Sequence, residues 1–303
     1  MDLNKLLVFV GIFLLLLVSC TLLDTNPPPP QNYSSTTQTQ LNTTNETQVN
    51  QTNITIVQPK EPVLLPIKDK LAVYVIDTTK KGSTIITLNN HSIVINIQGQ
   101  ADGLRILKII QNLGIKQIDY LIATNGDEDN IAGIPPILLR MPPKFLVHSG
   151  IPSSSPSYQI YNSLFQNITI ASHDNIYGFE ETFFNLIVPY DDKIPLTDDN
   201  SVIVKMNYGN TQVLITTDCA VDCESRVDNL KANILISNGG CNSLSYNFLQ
   251  KVLPELIIIS GHPCEETKSR IESLAIPILT TKNDGDVTIT SDGISYEYKS
   301  LKQ

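Results

Sequence analysis

The apolar positions divide the chain into three kinds of sequence. Residues 6–18 are an unbroken apolar run without charge. Residues 21–67 carry few apolar side chains and show no period. From Leu71 onward the apolar positions recur with the two periods of folded protein. Short runs alternate and are rich in Val, Ile and Thr, as half-buried strands are; longer ones follow helical spacing. Strands are predicted over 71–77, 84–88 and 92–97, with Asn89-Asn90 as a turn signal. A helix over 101–113 presents Leu104, Ile106, Leu107, Ile109, Ile110 and Leu113 and is closed by Gly114. A buried strand over 117–123, a polar acidic loop over 124–130 and a helix over 131–141 follow, the helix with Pro135 and Pro136 in its first turns.

Alternation continues to the end of the chain. Strands are predicted over 145–148, 183–188, 201–206, 213–217, 233–237, 256–260, 277–280, 287–290 and 294–298. Helices are predicted over 157–165, 221–230, 245–252 and 265–274. No internal repeat or second linker interrupts the series. The chain is therefore read as one α/β domain over 68–300, and pattern alone allows a doubly wound sheet or a two-sheet sandwich.

Composition changes this picture at the amino-terminal side. Of 303 residues, 41% are hydrophobic, which is enough for a sizeable core. The formal net charge is -9, so nothing here gives a strong nucleic-acid signal, which needs clustered Lys and Arg. Lys5, the apolar run and Leu17-Val18-Ser19-Cys20 make residues 1–20 a signal peptide with a lipobox-like end. On this reading Cys20 becomes the lipidated new terminus; the alternative is a plain anchor helix. Either reading expects an extracytoplasmic chain held at the cell membrane. Residues 21–67, with the run Pro27 to Pro30, cannot bury enough surface to offset their ordering entropy, and are expected to form a disordered stalk. Asn32, Asn42, Asn45, Asn50 and Asn53 each begin a glycosylation sequon there; Asn90 and Asn167 begin two more in the folded part.

The loop Thr124-Asn125-Gly126-Asp127-Glu128-Asp129-Asn130-Ile131-Ala132-Gly133 carries the candidate chemistry. It resembles the T-H-x-D-x-D-H-x-G-G loop of the metallo-β-lactamase superfamily, in particular the soluble domain of ComEC-type DNA-uptake proteins. Other segments follow the same pattern in order: Val75-Ile76-Asp77 with Gly82 to Ile86, Ile95-Asn96-Ile97, Leu113-Gly114-Ile115, Ile118 to Leu121 and Asn200-Ser201-Val202. Later come Leu214 to Asp218, Ile236 to Cys241, Gly261-His262-Pro263 and Gly285 to Gly293. The resemblance covers nearly all of 70–296 and implies a four-layer αββα sandwich. It puts Asp127, Asp129 and Asp218 at carboxylate ligand positions, with Asp218 as the bridge between two metals. Asn125, Asn130 and Asn238 stand where the family has histidines.

An amide is a poor zinc ligand, since its nitrogen is not basic and its oxygen is a weak neutral donor. The resemblance therefore implies a degenerate metal site, no cofactor, and a non-catalytic binding or accessory module. The alternative is a metal-dependent hydrolase acting on phosphodiesters. Its rebuilt, oxygen-rich site would use Asp127, Asp129 and Asp218 to hold Mg, Mn, Ca or Zn. The plainest reading of the acidic residues is structural: Asp129 or Asn130 caps the next helix, Asp127 faces solvent, and Asp218 caps the helix after it. His262 is expected to be a loop residue, and His91, His148 and His173 match nothing catalytic. Cys219, Cys223, Cys241 and Cys264 point to two disulfides with three possible connectivities; a thiolate metal site is the rival. Expected partners are the membrane, through the lipid anchor, and a surface protein or DNA-uptake component.

Overall fold

The structure, a computed structural model, describes Leu64 and residues 66–165, 168–172, 176–179, 182–189 and 200–302. The export segment with Cys20, the stalk sequons, Asn167 and His173 lie outside the described residues. Among the described residues no helix is long and apolar enough to cross a membrane.

Two mixed sheets form the centre. The first has the order β15-β14-β1-β2-β3-β4-β5-β6. Its strands are β1 Leu71–Asp77, β2 Gly82–Leu88, β3 His91–Ile95, β4 Tyr120–Ala123, β5 Phe145–His148, β6 Ile168–Ile170, β14 Val287–Ser291 and β15 Tyr296–Ser300. The second has the order β13-β12-β11-β10-β9-β8-β7. It comprises β7 Ile176–Phe179, β8 Thr182–Ile187, β9 Ile203–Tyr208, β10 Thr211–Thr217, β11 Ile234–Ser237, β12 Leu256–Ile259 and β13 Ile278–Thr280. In each sheet antiparallel pairs give way to parallel ones, β3 to β6 in the first and β10 to β13 in the second.

The alternation along each strand dictates four layers. Leu71, Val73 and Val75 of β1 face one way and meet Val204, Met206, Val213 and Ile215 of the other sheet. Ala72, Tyr74 and Ile76 face the opposite way, against helices α1 (Gln100–Asn112) and α3 (Ile134–Arg140), through Ile106, Ile110, Ile134 and Ile137. On the far side Leu214, Leu235 and Ile257 meet Phe248, Val252 and Ile271 of α6 (Tyr246–Val252) and α7 (Glu265–Ser273). Three apolar layers separated by two sheets make an αββα sandwich, so the doubly wound alternative falls away.

Several predicted bounds move, each for a local reason. The helix expected over 131–141 divides into α2 (Glu128–Ile131) and α3. Gly133 sits at the break, where a Cβ would lie 2.3 Å from Ile97 Cγ2 and 2.6 Å from Gly99 O. Pro135 and Pro136, which lack N–H groups, fit only the first turn of the second piece. The helix expected over 221–230 stops early, as α5 (Val221–Ser225), and Asn229 takes a left-handed conformation with φ 57°. The last strand begins at Tyr296, after a turn in which Asp292 Oδ1 accepts the Ile294 and Ser295 N–H groups, each at 2.9 Å. The short strands β6 and β7, absent from the sequence reading, are too brief to show a period.

His148, at the end of β5, is buried beside Tyr158 and Tyr161 of α4 (Pro156–Leu164). Its Nδ1 accepts the Gly150 N–H at 2.9 Å, so a proton there would face another donor. Burial holds its pKa below the ordinary 6.5. The unfolded chain then takes up the proton first. The stability from this residue is present above the ordinary value and is lost as pH falls below it. The melting temperature should therefore fall between about pH 7.5 and about pH 5.5, and His148→Gln should flatten that slope. Identical slopes in the two proteins would refute this.

Candidate functional site

The strands converge on one end of the sandwich, where β4, β10, β11 and β12 finish and the β1–β2 turn crosses. In α/β sheets the carboxyl ends of parallel strands are where sites form, because the loops there are released from the ladder. Asn96, with φ 52°, begins the site. Its Oδ1 accepts the Thr124 N–H at 2.9 Å and its Nδ2 donates to Thr124 Oγ1 at 2.9 Å. This pins the loop after β4 at its first residue. The loop's other end is fixed by the Gly133 N–H, which donates to Ile97 O at 2.8 Å.

Inside that loop the amides face one another. Asn125 Nδ2 donates to Ser201 Oγ at 2.9 Å, and its Oδ1 accepts the Asp127 N–H at 3.1 Å and Asn130 Nδ2 at 2.7 Å. Asn130 is fully buried; its Nδ2 also donates to Asp218 Oδ2 at 2.7 Å. Asn130 Oδ1 accepts Gln98 Nε2 at 3.1 Å and Asn96 Nδ2 at 3.4 Å. From the second sheet, Asn238 Nδ2 donates to Asp218 Oδ1 at 2.7 Å, while Asn238 Oδ1 accepts Ser260 Oγ at 2.7 Å.

Asp218 is aimed by the irregular end of β10. The register against β11 shifts between Ile215 and Thr217, and Thr217 has φ 47°. A bulge of this kind redirects the next side chain. A β-branched residue at positive φ is strained, and such strain persists only where the surroundings enforce it. Thr217 Oγ1 donates to Thr124 Oγ1 at 3.1 Å, tying the two loops together.

The structure thus brings together Asn125, Asn130, Asn238 and Asp218, but not all three carboxylates of the ligand pattern. Among the described residues, the one group of three His, Cys, Asp or Glu ligand atoms within 4.8 Å is Cys241, Cys264 and Glu266. Asp127, Asp129 and Asp218 therefore do not share one small shell. Asp129 turns outward to the ammonium of Lys80. The expected caps differ too. Asp127 holds the cap position of α2 without a side-chain cap bond, Asp129 and Asn130 lie inside that helix, and Ala220 rather than Asp218 precedes α5. His262 is an exposed loop residue, as expected.

The cysteines pair as Cys219–Cys223 and Cys241–Cys264. Both sulfurs of the Cys241, Cys264 and Glu266 group are spent in a bridge, which leaves no thiolate to bind metal. The second bridge closes the mouth of the site, where the Cys264 N–H donates to Gly239 O at 2.9 Å. Chain-entropy reasoning gives a bridge of this span about 3 kcal/mol.

Whether this donor set fits the metals implied by the resemblance is decided by which atoms point inward. Asp218 already accepts two amide N–H groups and the Lys81 ammonium, the last at 2.6 Å. Turning the Asn130 amide over would set its oxygen against Asp218 Oδ2 and Asn125 Oδ1, and its NH2 against Gln98 Nε2. The network therefore fixes donors where a metal needs lone pairs. The residues do not fit a two-zinc centre.

Sequence reasoning missed Lys80, Lys81, Gln98 and Ser260. Two adjacent lysines between Asp77 and Gly82, in a chain with 17% charged residues, were the available signal.

No family model matches the sequence. The chain is similar to ComE operon protein 3 of Bacillus subtilis, with 24% identity over 205 residues. That match covers 62% of this chain but a quarter (25%) of the relative. Among solved structures, YhfI from Bacillus subtilis superposes with a TM-score of 0.47 at 12% identity, covering 69% of this chain and 95% of that one. Tm1679, a metal-dependent hydrolase of the β-lactamase superfamily, gives 0.48 at 11%, again over 69% and 95%. Over 205 residues the chain is similar in sequence to ComE operon protein 3, and its described residues fold as a two-sheet αββα sandwich.

Proposed function

We propose that this is an extracytoplasmic, membrane-held accessory or binding module whose metal centre has become a hydrogen-bonded amide cluster. The observation that carries the reading is the direction of the bonds at Asp218. Asn130 and Asn238, at two of the histidine positions, each give it an N–H at 2.7 Å. A hydrolytic centre needs a metal-bound water with open coordination. Here the carboxylate that would bridge the metals is filled by protein donors. The apolar run ending at Cys20 and the sequon-rich stalk support a tethered surface location. A surface protein or a component of DNA uptake is the partner class that the sequence resemblance implies.

The test is elemental analysis of the full chain purified in detergent, with a phosphodiesterase assay in Mg²⁺, Mn²⁺, Ca²⁺ or Zn²⁺. Zinc far below one per chain is expected, with no hydrolysis above that of an Asp127→Ala, Asp218→Ala variant. Two tightly held zinc ions, or a rate that this variant loses, would replace the proposal with the hydrolase reading.

A further inference from the structure

The geometry points to Lys81, assisted by Lys80, as a built-in cation that replaces the metal ions at the carboxylates of this site. This inference rests on the reading of the centre as degenerate and adds what holds the centre together. Asp218 keeps only 7% of its side chain exposed. A carboxylate so placed must be neutralised or paired, because a buried unpaired charge is costly. The amides of Asn130 and Asn238 supply dipoles but no charge. Lys81 supplies the charge: its Nζ lies 2.6 Å from Asp218 Oδ1, and its own side chain is 33% exposed. A lysine ammonium is a compact point charge with three donors, the nearest side-chain analogue of a small cation. The neighbouring Lys80 pairs with Asp129, the second ligand-position carboxylate, on the outer side.

Both lysines come from one turn, and that turn is fixed from several sides. Thr78 Oγ1 donates to Lys81 O across it. Thr79 gives its N–H and Oγ1 to Asp102 Oδ2 of α1, at 3.1 and 2.6 Å. Arg105, one turn further along α1, donates to Asp77 O and to Asp286 Oδ2, the latter at 3.2 Å. Gly82 then presses against the site itself: a Cβ there would fall 2.2 Å from Ser260 Cβ. Ser260 is the residue that orients the Asn238 amide. The backbone that carries the lysines and the amide that meets Lys81 on Asp218 are therefore linked through Ser260. A tethered ammonium cannot dissociate or be chelated, and it repels an incoming divalent ion.

Thermal melts of the full chain test this. Wild type, Lys81→Met, Asp218→Asn, the Lys81→Met, Asp218→Asn double variant and Lys80→Met are compared with EDTA and with Mn²⁺. Wild type should melt at the same temperature in both. Lys81→Met should melt about 5–10 °C lower, and Lys80→Met within about 2 °C of wild type, because that pair is exposed. The double variant should lose less than the sum of its parts, since it removes both charges. Lys81→Met alone should gain a Mn²⁺-dependent rise, which a merely structural lysine would not produce and which the double variant should lack. If Lys81→Met does not fold, the double variant must, and its folding then carries the test. Additive losses, an unaltered melt of Lys81→Met, no Mn²⁺ response in that variant, or a Mn²⁺ response in wild type would each overturn the proposal. Additive losses in a zinc-free, inactive protein would sink the lysine assignment alone and leave the proposed function standing.

Discussion

Asn130→Ala should lower stability by about 4 kcal/mol, a fall in melting temperature of about 8–16 °C for a domain of this size. The side chain is fully buried. Its removal takes one donor from Asp218 and one from Asn125, and it strands Gln98 Nε2 without its acceptor. Each buried polar group left unsatisfied costs about 1–3 kcal/mol. Asn130→Asp should do no better, since it sets a second carboxylate 2.7 Å from Asp218 Oδ2. Equilibrium urea unfolding of the three proteins measures the effect. A loss below about 1 kcal/mol for Asn130→Ala would mean that the amide cluster does not hold the site.

Glu224→Ala should cost about 3 kcal/mol by a different route. Glu224 is buried in α5 and accepts the N–H groups of Leu244 and Ser245, the latter at 3.0 Å. Burial raises its pKa above the ordinary carboxylate value, an effect opposed by the Ser245 and Leu244 donors and by Arg270. Arg270 closes the same loop from α7, donating to Ser243 O at 2.7 Å and Leu244 O at 3.1 Å. Without the carboxylate, two backbone donors ahead of α6 lose their acceptor, and with them the segment that follows Asn238. Hydrogen exchange at the Leu244 and Ser245 amides should accelerate far more than exchange in β11. Glu224→Gln, which keeps one acceptor oxygen, should lose roughly half as much stability. Unchanged exchange at both amides would show that the loop is held by other contacts.

The layers of the fold were legible because they are written in alternation. The inner and outer faces of β1 can be read directly from Leu71 to Ile76, and the apolar stripe of α1 from Ile106 and Ile110. The site was legible as a set of positions. The place of Asn125, Asn130, Asn238 and Asp218 in an ordered series marks them, and they meet. What the sequence does not carry is direction. An amide has donors and an acceptor, and only the neighbours decide which faces Asp218. The same limit hid Lys81, which lies 137 residues from its carboxylate in the chain. Nor could the cysteine pairing be read, because four cysteines allow three arrangements until the loops are placed. The capping expectation for Asp129 and Asn130 failed because α2 begins earlier than the apolar spacing indicates, so both residues fall within it.

One feature of the first sheet bears on how the molecule meets mechanical load. β1, the first strand among the described residues, is not at an edge: it is laddered to β2 on one side and to β14, near the other end of the sequence, on the other. Tension applied ahead of Leu71 is therefore borne in shear by two antiparallel ladders together. Many backbone bonds must yield at once, rather than unzipping singly, before the strand slides and the turn bearing Lys80 and Lys81 is dragged from its seat.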